Sequence, residues 1–90
     1  YGEEVTPERL AMIDAAERFL RAKGLTICRV RYHRGDLARI EISSNEIQIL
    51  CEPAVRGGLA AEFRRLGFKF ITIDLEGFRS GSMNQLLQIQ

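Results

Sequence analysis

Alternation between apolar and polar side chains over residues 26–33 constrains the fold of this chain more than any other feature. Such alternation is typical of a β-strand with one buried face. A tight turn at residues 34–36 leads into residues 37–42, which alternate in the same way. The pattern predicts a β-hairpin. Its predicted inward residues are Cys28, Val30, Tyr32, Ala38, Ile40 and Ile42.

Helical patterns lie on both sides of this hairpin. Thr6 is suited to cap a first helix, Pro7 to occupy its first position, and Gly24 to end it. Residues 46–66 are mostly helical, with Pro53 and the pair Gly57-Gly58 expected to divide them into a short turn and a longer helix. The apolar residues 68–75 predict a third strand.

The order of these elements predicts the fold class. A chain of 90 residues forms one domain. The order α-β-β-α-β predicts an α+β domain of two layers, with a three-stranded sheet and the helices on one face. A right-handed crossover that skips one position would place the third strand against the first, giving the strand order 2-1-3.

Composition excludes several classes of partner and site. The net charge of +1 is too balanced to indicate nucleic acid or an anionic membrane, and the chain contains neither a long apolar run nor a signal-peptide pattern. Cys28 and Cys51 stand apart without metal-ligand spacing, which predicts free thiols, no metal site and a cytoplasmic protein. The chain begins with Tyr1, so we expect it to be a piece of a longer protein.

The outer face of the predicted hairpin is strongly basic. Arg29 and Arg31 come from one strand and Arg39 from its partner, so their charges repel unless an anion or carboxylates lie between them. Glu41 lies on the same face and could pair with one of them. Glu17, which interrupts an apolar stripe of the first helix, could pair with another. Two interpretations remain: a solvated, ion-paired sheet face, or a planar site for phosphate or carboxylate.

Residues 74–84 form the second notable stretch, because a core strand runs directly into charged and small residues. Asp74 and Glu76 could perform acid–base or Mg²⁺ chemistry, or could pair with Arg79 or with the strand arginines. Backbone N–H groups around Ser80 and Ser82 could bind an anion beside Arg79. Alternatively, Ser82 caps a short last helix over residues 83–89.

The remaining reactive residues predict no self-contained catalytic set. His33 is next to a turn, with no serine or cysteine at a spacing that would activate it. Cys28 faces the predicted core and is expected to be inert, and Cys51 has only Arg56 as a basic neighbour.

Taken together, these stretches resemble the C-terminal domain of the LarE family, the ATP-dependent sacrificial sulfur transferases of the PP-loop superfamily. The resemblance rests on four segments, residues 29–33, 37–41, 66–68 and 74–84, and on the opening residues 1–10. It covers essentially the whole chain, and the last motif, DLEGFRSGSMN, is the most specific.

The resemblance implies thiolation of a pyridinium dicarboxylate mononucleotide in the synthesis of the nickel-pincer nucleotide. An N-terminal PP-loop domain would bind ATP and Mg²⁺ and adenylate the substrate carboxylate. Sulfur would then come from a cysteine or, in some members, from an iron–sulfur cluster. Residues 1–90 would be the substrate-binding and oligomerisation domain, with no cofactor of their own. Their implied partners are the mononucleotide, that N-terminal domain and further copies of the protein, without nucleic acid or membrane.

Residue by residue, the family's phosphate-binding arginines match Arg29 and Arg31, with Arg39 and Arg79 as further members of that site. The resemblance implies supporting roles for Glu17, which would orient the arginines, and for Glu41, Asp74, Glu76, Ser80 and Ser82. The chain lacks the Ser-Gly-Gly loop that contacts ATP, and neither Cys28 nor Cys51 matches the sulfur-donor cysteine. This chain alone is therefore expected not to be catalytic.

Two alternatives to that function are compatible with the sequence. One is an oligomerisation domain of a PP-loop enzyme with a different substrate, indicated by the apolar residues Met83, Leu86, Leu87 and Ile89. The other is a freestanding regulatory module that binds a metabolite anion.

Overall fold

The computed structural model describes residues 6–79 and contains three α-helices, one short 3₁₀ turn and a three-stranded sheet. The predicted α+β class is confirmed. The elements in chain order are helix α1 (Pro7–Ala22), strand β1 (Cys28–His33), strand β2 (Leu37–Ile42), the 3₁₀ turn (Ser44–Glu46), helix α2 (Ile47–Cys51), helix α3 (Pro53–Leu66) and strand β3 (Phe70–Ile73).

Helix α1 begins as its sequence predicts. The Thr6 hydroxyl accepts a hydrogen bond of 3.2 Å from the Arg9 N–H, and Pro7 occupies the first turn. Ala16 and Leu20 are fully buried, whereas Leu10 is 55% exposed and lies outside the core. The completely buried residues of α1 therefore lie in the C-terminal half of the helix.

Strands β1 and β2 form the predicted antiparallel hairpin, with Val30 opposite Ile40 and Arg31 opposite Arg39. Its turn uses left-handed backbone conformations at Gly35 and Asp36 (φ 89° and 59°). The Asp36 carbonyl then accepts a 2.7 Å hydrogen bond from the Lys69 N–H. The hairpin turn thereby fixes where the third strand begins.

The predicted strand order 2-1-3 is wrong, because the observed order is β1-β2-β3. Strand β3 lies parallel to β2, with Ala38 opposite Ile71 and Ile40 opposite Ile73. The crossover through α2 and α3 skips no strand, and a right-handed crossover does not require that it should. The edge of β1 that the prediction assigned to β3 is instead covered by α1, whose Glu17 carboxylate accepts a 2.9 Å hydrogen bond from the Val30 N–H.

The region between β2 and β3 differs from prediction in two details. The helical stretch breaks at Glu52, just before Pro53, but Gly57 and Gly58 lie within α3 and do not interrupt it. Strand β3 is also shorter than residues 68–75. Phe68 belongs to the turn that caps the C-terminus of α3, since its N–H donates to the Phe63 carbonyl at 3.0 Å beside Gly67 (φ 119°).

The core lies between one face of the sheet and the helices. Both long helices share one buried cluster with the inward residues of β1 and β2, so the two-layer prediction is confirmed. Its largest fully buried side chains are Leu20, Val30, Ile40, Ile42, Phe63 and Phe68. Within residues 6–79, no helix is long and apolar enough to cross a bilayer. The predicted last helix lies outside the described residues.

Candidate functional site

The predicted basic face exists and is the outer face of the sheet. Because side chains alternate along a strand, the hairpin presents Arg29 and Arg31 from β1 together with Arg39 and Glu41 from β2 on the side away from the core. Asp74 directly follows β3, and its N–H bonds to the Ile40 carbonyl at 2.9 Å. It therefore joins the same face.

Glu41 is the centre of this face and is almost completely buried, with 3% of its side chain exposed. Its carboxylate Oε1 lies 3.4 Å from the Arg31 Nε, and its Oε2 accepts a 3.0 Å hydrogen bond from the Arg39 Nη2. A buried carboxylate requires such partners, since an unpaired charge in this position would be strongly unfavourable. The predicted pairing of Glu41 is confirmed, with two arginines rather than one.

Asp74 continues the pairing toward the end of the described chain. Its Oδ2 lies 3.6 Å from the Arg39 Nε and accepts a 2.9 Å hydrogen bond from the Arg79 Nη2. Arg79 also pairs with Glu76 through its Nη1. We call this alternating series the ion-pair chain; its members are Arg31, Glu41, Arg39, Asp74, Arg79 and Glu76. For these residues, the structure therefore agrees with the first of the two interpretations, an ion-paired sheet face.

Arg29 lies on the same face but outside the ion-pair chain. Its side chain is exposed, and among residues 6–79 it forms no ion pair. Its guanidinium carbon lies 5.9 Å from the centre of the Phe78 ring, within range of a cation–π interaction. The ion-pair chain holds three arginines and three carboxylates. Among the described residues, these carboxylates therefore leave the positive charge of Arg29 uncompensated.

The segment of residues 74–79 reaches this face by passing close to the end of β2. The Phe78 N–H donates a 2.7 Å hydrogen bond to the Ile42 carbonyl. Gly77 has φ +81°, and a Cβ at this position would lie 2.7 Å from the same carbonyl oxygen. Only glycine fits this approach. The sequence patterns predicted no role for Gly77 or Phe78. A glycine within the specific motif of residues 74–84 could have indicated a close approach of the backbone.

Glu17 occupies a different place from the outer-face residues. Its Oε2 accepts the hydrogen bond from the Val30 N–H, and its Oε1 lies 3.9 Å from the Arg21 Nη1. The backbone that it fixes is that of the residue between Arg29 and Arg31. Its interruption of the apolar stripe is thus explained by a backbone partner at the sheet edge. Ser80 and Ser82 lie outside the described residues.

Neither cysteine nor the histidine is a member of the ion-pair chain. The Cys28 thiol lies 3.9 Å from the Glu17 carbonyl oxygen, and burial, followed by the negative charge of Glu17, raises the pKa of this thiol. Cys51 is exposed on α2. His33 ends β1 and is half-buried. Residues 6–79 contain no cluster of three His, Cys, Asp or Glu side chains that could hold a metal ion.

Comparison with known proteins gives two similar sequences. The chain is 41% identical over 87 residues to the uncharacterized protein slr1717 of Synechocystis sp.. It is 39% identical over 87 residues to the pyridinium-3,5-bisthiocarboxylic acid mononucleotide synthase of Lactiplantibacillus plantarum. Both matches cover 97% of this chain but only 32% and 30% of the relatives, so the chain spans about a third of their length. No family model matches the chain.

Proposed function

We propose that this chain is the phosphate-binding part of a sulfur transferase that acts on a pyridinium mononucleotide, as LarE-type enzymes do. The observation that carries the proposal is Arg29, an exposed guanidinium without a carboxylate partner among residues 6–79. Arg31 follows it on the same side of β1 and is 20% exposed. A phosphate at this place would pair with the positive charge of Arg29, which the ion-pair chain leaves uncompensated.

The four arginines contribute unequally in this proposal. Arg29 provides the first contact, since it gives up no ion pair with any of residues 6–79 when it binds an anion. Arg31 provides the second, and its pairing with Glu41 holds it in place. Arg39 and Arg79 already share Asp74, so they act mainly by keeping the face rigid and its carboxylates neutralised.

The chemical steps belong to other parts of the protein. Adenylation joins a substrate carboxylate oxygen to the α-phosphorus of ATP and releases pyrophosphate. A sulfur nucleophile then attacks the activated carbonyl carbon and displaces AMP. We assign ATP and Mg²⁺ to the N-terminal domain that the resemblance implies, and to residues 6–79 only the role of holding the substrate's phosphate. We further propose that the protein is cytoplasmic, as its isolated cysteines predict, and that it forms a homo-oligomer, as the resemblance implies.

Titration of this chain with nicotinate mononucleotide, followed by amide NMR, tests the proposal. We expect shifts at residues 28–32 and 76–79 that are lost in Arg29→Gln. Arg64→Gln is the matched control, since Arg64 is an exposed arginine in the last turn of α3. Unchanged affinity in Arg29→Gln, or equal losses in both variants, would contradict a phosphate site at Arg29.

An assembly role is the second candidate, and one observation favours it. Among residues 6–79, strand β3 is an edge strand. Phe70 begins this strand and is 59% exposed, and Leu75 lies two residues beyond its end and is 84% exposed. Exposed apolar residues beside an unpaired strand edge are typical of surfaces that bind another chain. Sedimentation at several concentrations would detect self-association, and Leu75→Ser is expected to weaken it.

A further inference from the structure

The Arg29 guanidinium would be poorly positioned if the sheet alone held it. It extends from an edge strand, its side chain is exposed, and no carboxylate among the described residues holds its position. A long side chain in that situation samples many rotamers, and ordering it on ligand binding costs free energy. The described group that faces this guanidinium is the Phe78 ring, at 5.9 Å.

The backbone that carries the Phe78 ring is held in place on both sides. Its N–H donates to the Ile42 carbonyl at 2.7 Å, and the preceding Gly77 has φ +81° and is buried. The Gly77 N–H closes a turn onto the Asp74 carbonyl at 3.0 Å. On the other side of Phe78, Arg79 pairs with Asp74 at 2.9 Å. The backbone at Phe78 is therefore fixed by hydrogen bonds and, through Arg79, by an ion pair.

We infer that Phe78 is a positioning residue for Arg29, and that its ring holds the guanidinium over the outer face so that it can meet the substrate's phosphate. The inference rests on the proposed phosphate site and adds to it a group that does not itself contact the anion. An aromatic face restrains a guanidinium without neutralising it, whereas a carboxylate would compete with the phosphate for the same N–H groups. The chain uses carboxylates for Arg31, Arg39 and Arg79 and an aromatic ring for Arg29.

The test compares Phe78→Leu, which keeps an apolar side chain but removes the ring, with Phe78→Trp, which keeps a ring. Two readouts are recorded for each variant: the NMR resonance of the Arg29 side-chain N–H, and the affinity for nicotinate mononucleotide. We expect Phe78→Leu to shift the Arg29 resonance and to weaken binding by about two- to fivefold. Phe78→Trp should keep the affinity of the parent protein, because it still places a ring beside the guanidinium, while its larger ring moves the Arg29 resonance. In an Arg29→Gln background, the leucine substitution should have no further effect on affinity.

The two readouts separate failure of the inference from failure of the proposed function. An Arg29 resonance and an affinity that are unchanged in Phe78→Leu would overturn the inference. If the parent protein binds no nucleotide, the proposed function fails, while the Arg29 resonance still shows whether the ring holds the guanidinium. If Phe78→Leu does not fold, Phe78→Trp decides alone: its larger ring should move the Arg29 resonance, and an unmoved resonance would refute the contact.

Discussion

The carboxylate of Glu41 lies 3.0 Å from the Arg39 guanidinium on the outer face of the sheet, where it is almost completely buried. The two residues stand on the same side of one strand, so the contact is built into the strand itself. Arg31 approaches the same carboxylate from the neighbouring strand. Each arginine thus offsets part of the free-energy cost of burying the Glu41 carboxylate, and Glu41 reduces the electrostatic repulsion between the two guanidiniums.

Glu41→Gln should lower the free energy of unfolding by about 1–3 kcal/mol, because it removes the charge that keeps two adjacent guanidiniums together. The expected loss of stability is modest because both arginines are partly solvated, with exposures of 20% and 36%. Urea denaturation measures the change. Glu62→Gln is the control, since Glu62 pairs with Arg65 on the surface of α3. The Glu62 variant should lose less stability, and an equal loss would contradict the role of burial.

Gly77→Ala should destabilise the protein by about 1–3 kcal/mol, because its Cβ would lie 2.7 Å from the Ile42 carbonyl oxygen at a φ of +81°. Gly35→Ala is the matched control: its φ is +89°, but a Cβ there meets nothing within 4 Å. Both variants carry backbone strain, and only Gly77→Ala adds a collision. Thermal unfolding should therefore show a larger loss of stability for Gly77→Ala than for Gly35→Ala. Equal losses would mean that the segment of residues 74–79 shifts to accommodate the methyl group without a cost in free energy.

Glu17→Leu should leave the Val30 N–H without its acceptor and lower stability by about 1–3 kcal/mol. Glu17→Gln retains a carbonyl oxygen at the same reach and should lose less. Hydrogen exchange of the Val30 amide is the direct measurement, because this N–H points to α1 rather than to β2. Fast exchange in the leucine variant and slow exchange in the glutamine variant are expected. Equal protection in both would show that Glu17 does not hold the strand edge.

Cys51 should react with a thiol reagent faster than Cys28 near neutral pH. Burial and the Glu17 charge raise the pKa of Cys28, so a smaller fraction of it is thiolate at any pH below that pKa. Cys51 is exposed. Alkylation followed by mass spectrometry measures both rates. The rate at Cys28 should keep rising until the pH passes the raised pKa of its thiol. Faster modification of Cys28 would contradict its position against α1.

Sequence patterns predicted the local structure because the interactions behind them are local. Period-two alternation gave the correct inward and outward residues of both hairpin strands, and Thr6 and Pro7 correctly marked the start of α1. The prediction that Gly57-Gly58 would interrupt the helix was wrong, because each glycine destabilises a helix by only about 1 kcal/mol relative to alanine. The packing of the buried side chains of Leu59 and Phe63 outweighs that cost.

What the sequence determined by itself is which side chains share the outer face, since the pleat of a strand decides that without reference to the rest of the chain. Which of them meet was decided only by the tertiary structure. Strand β3 pairs with β2, α1 covers the edge of β1 through Glu17, and Gly77 brings Phe78 to Arg29. These contacts join residues far apart in sequence, and their energies depend on burial, which no local pattern specifies.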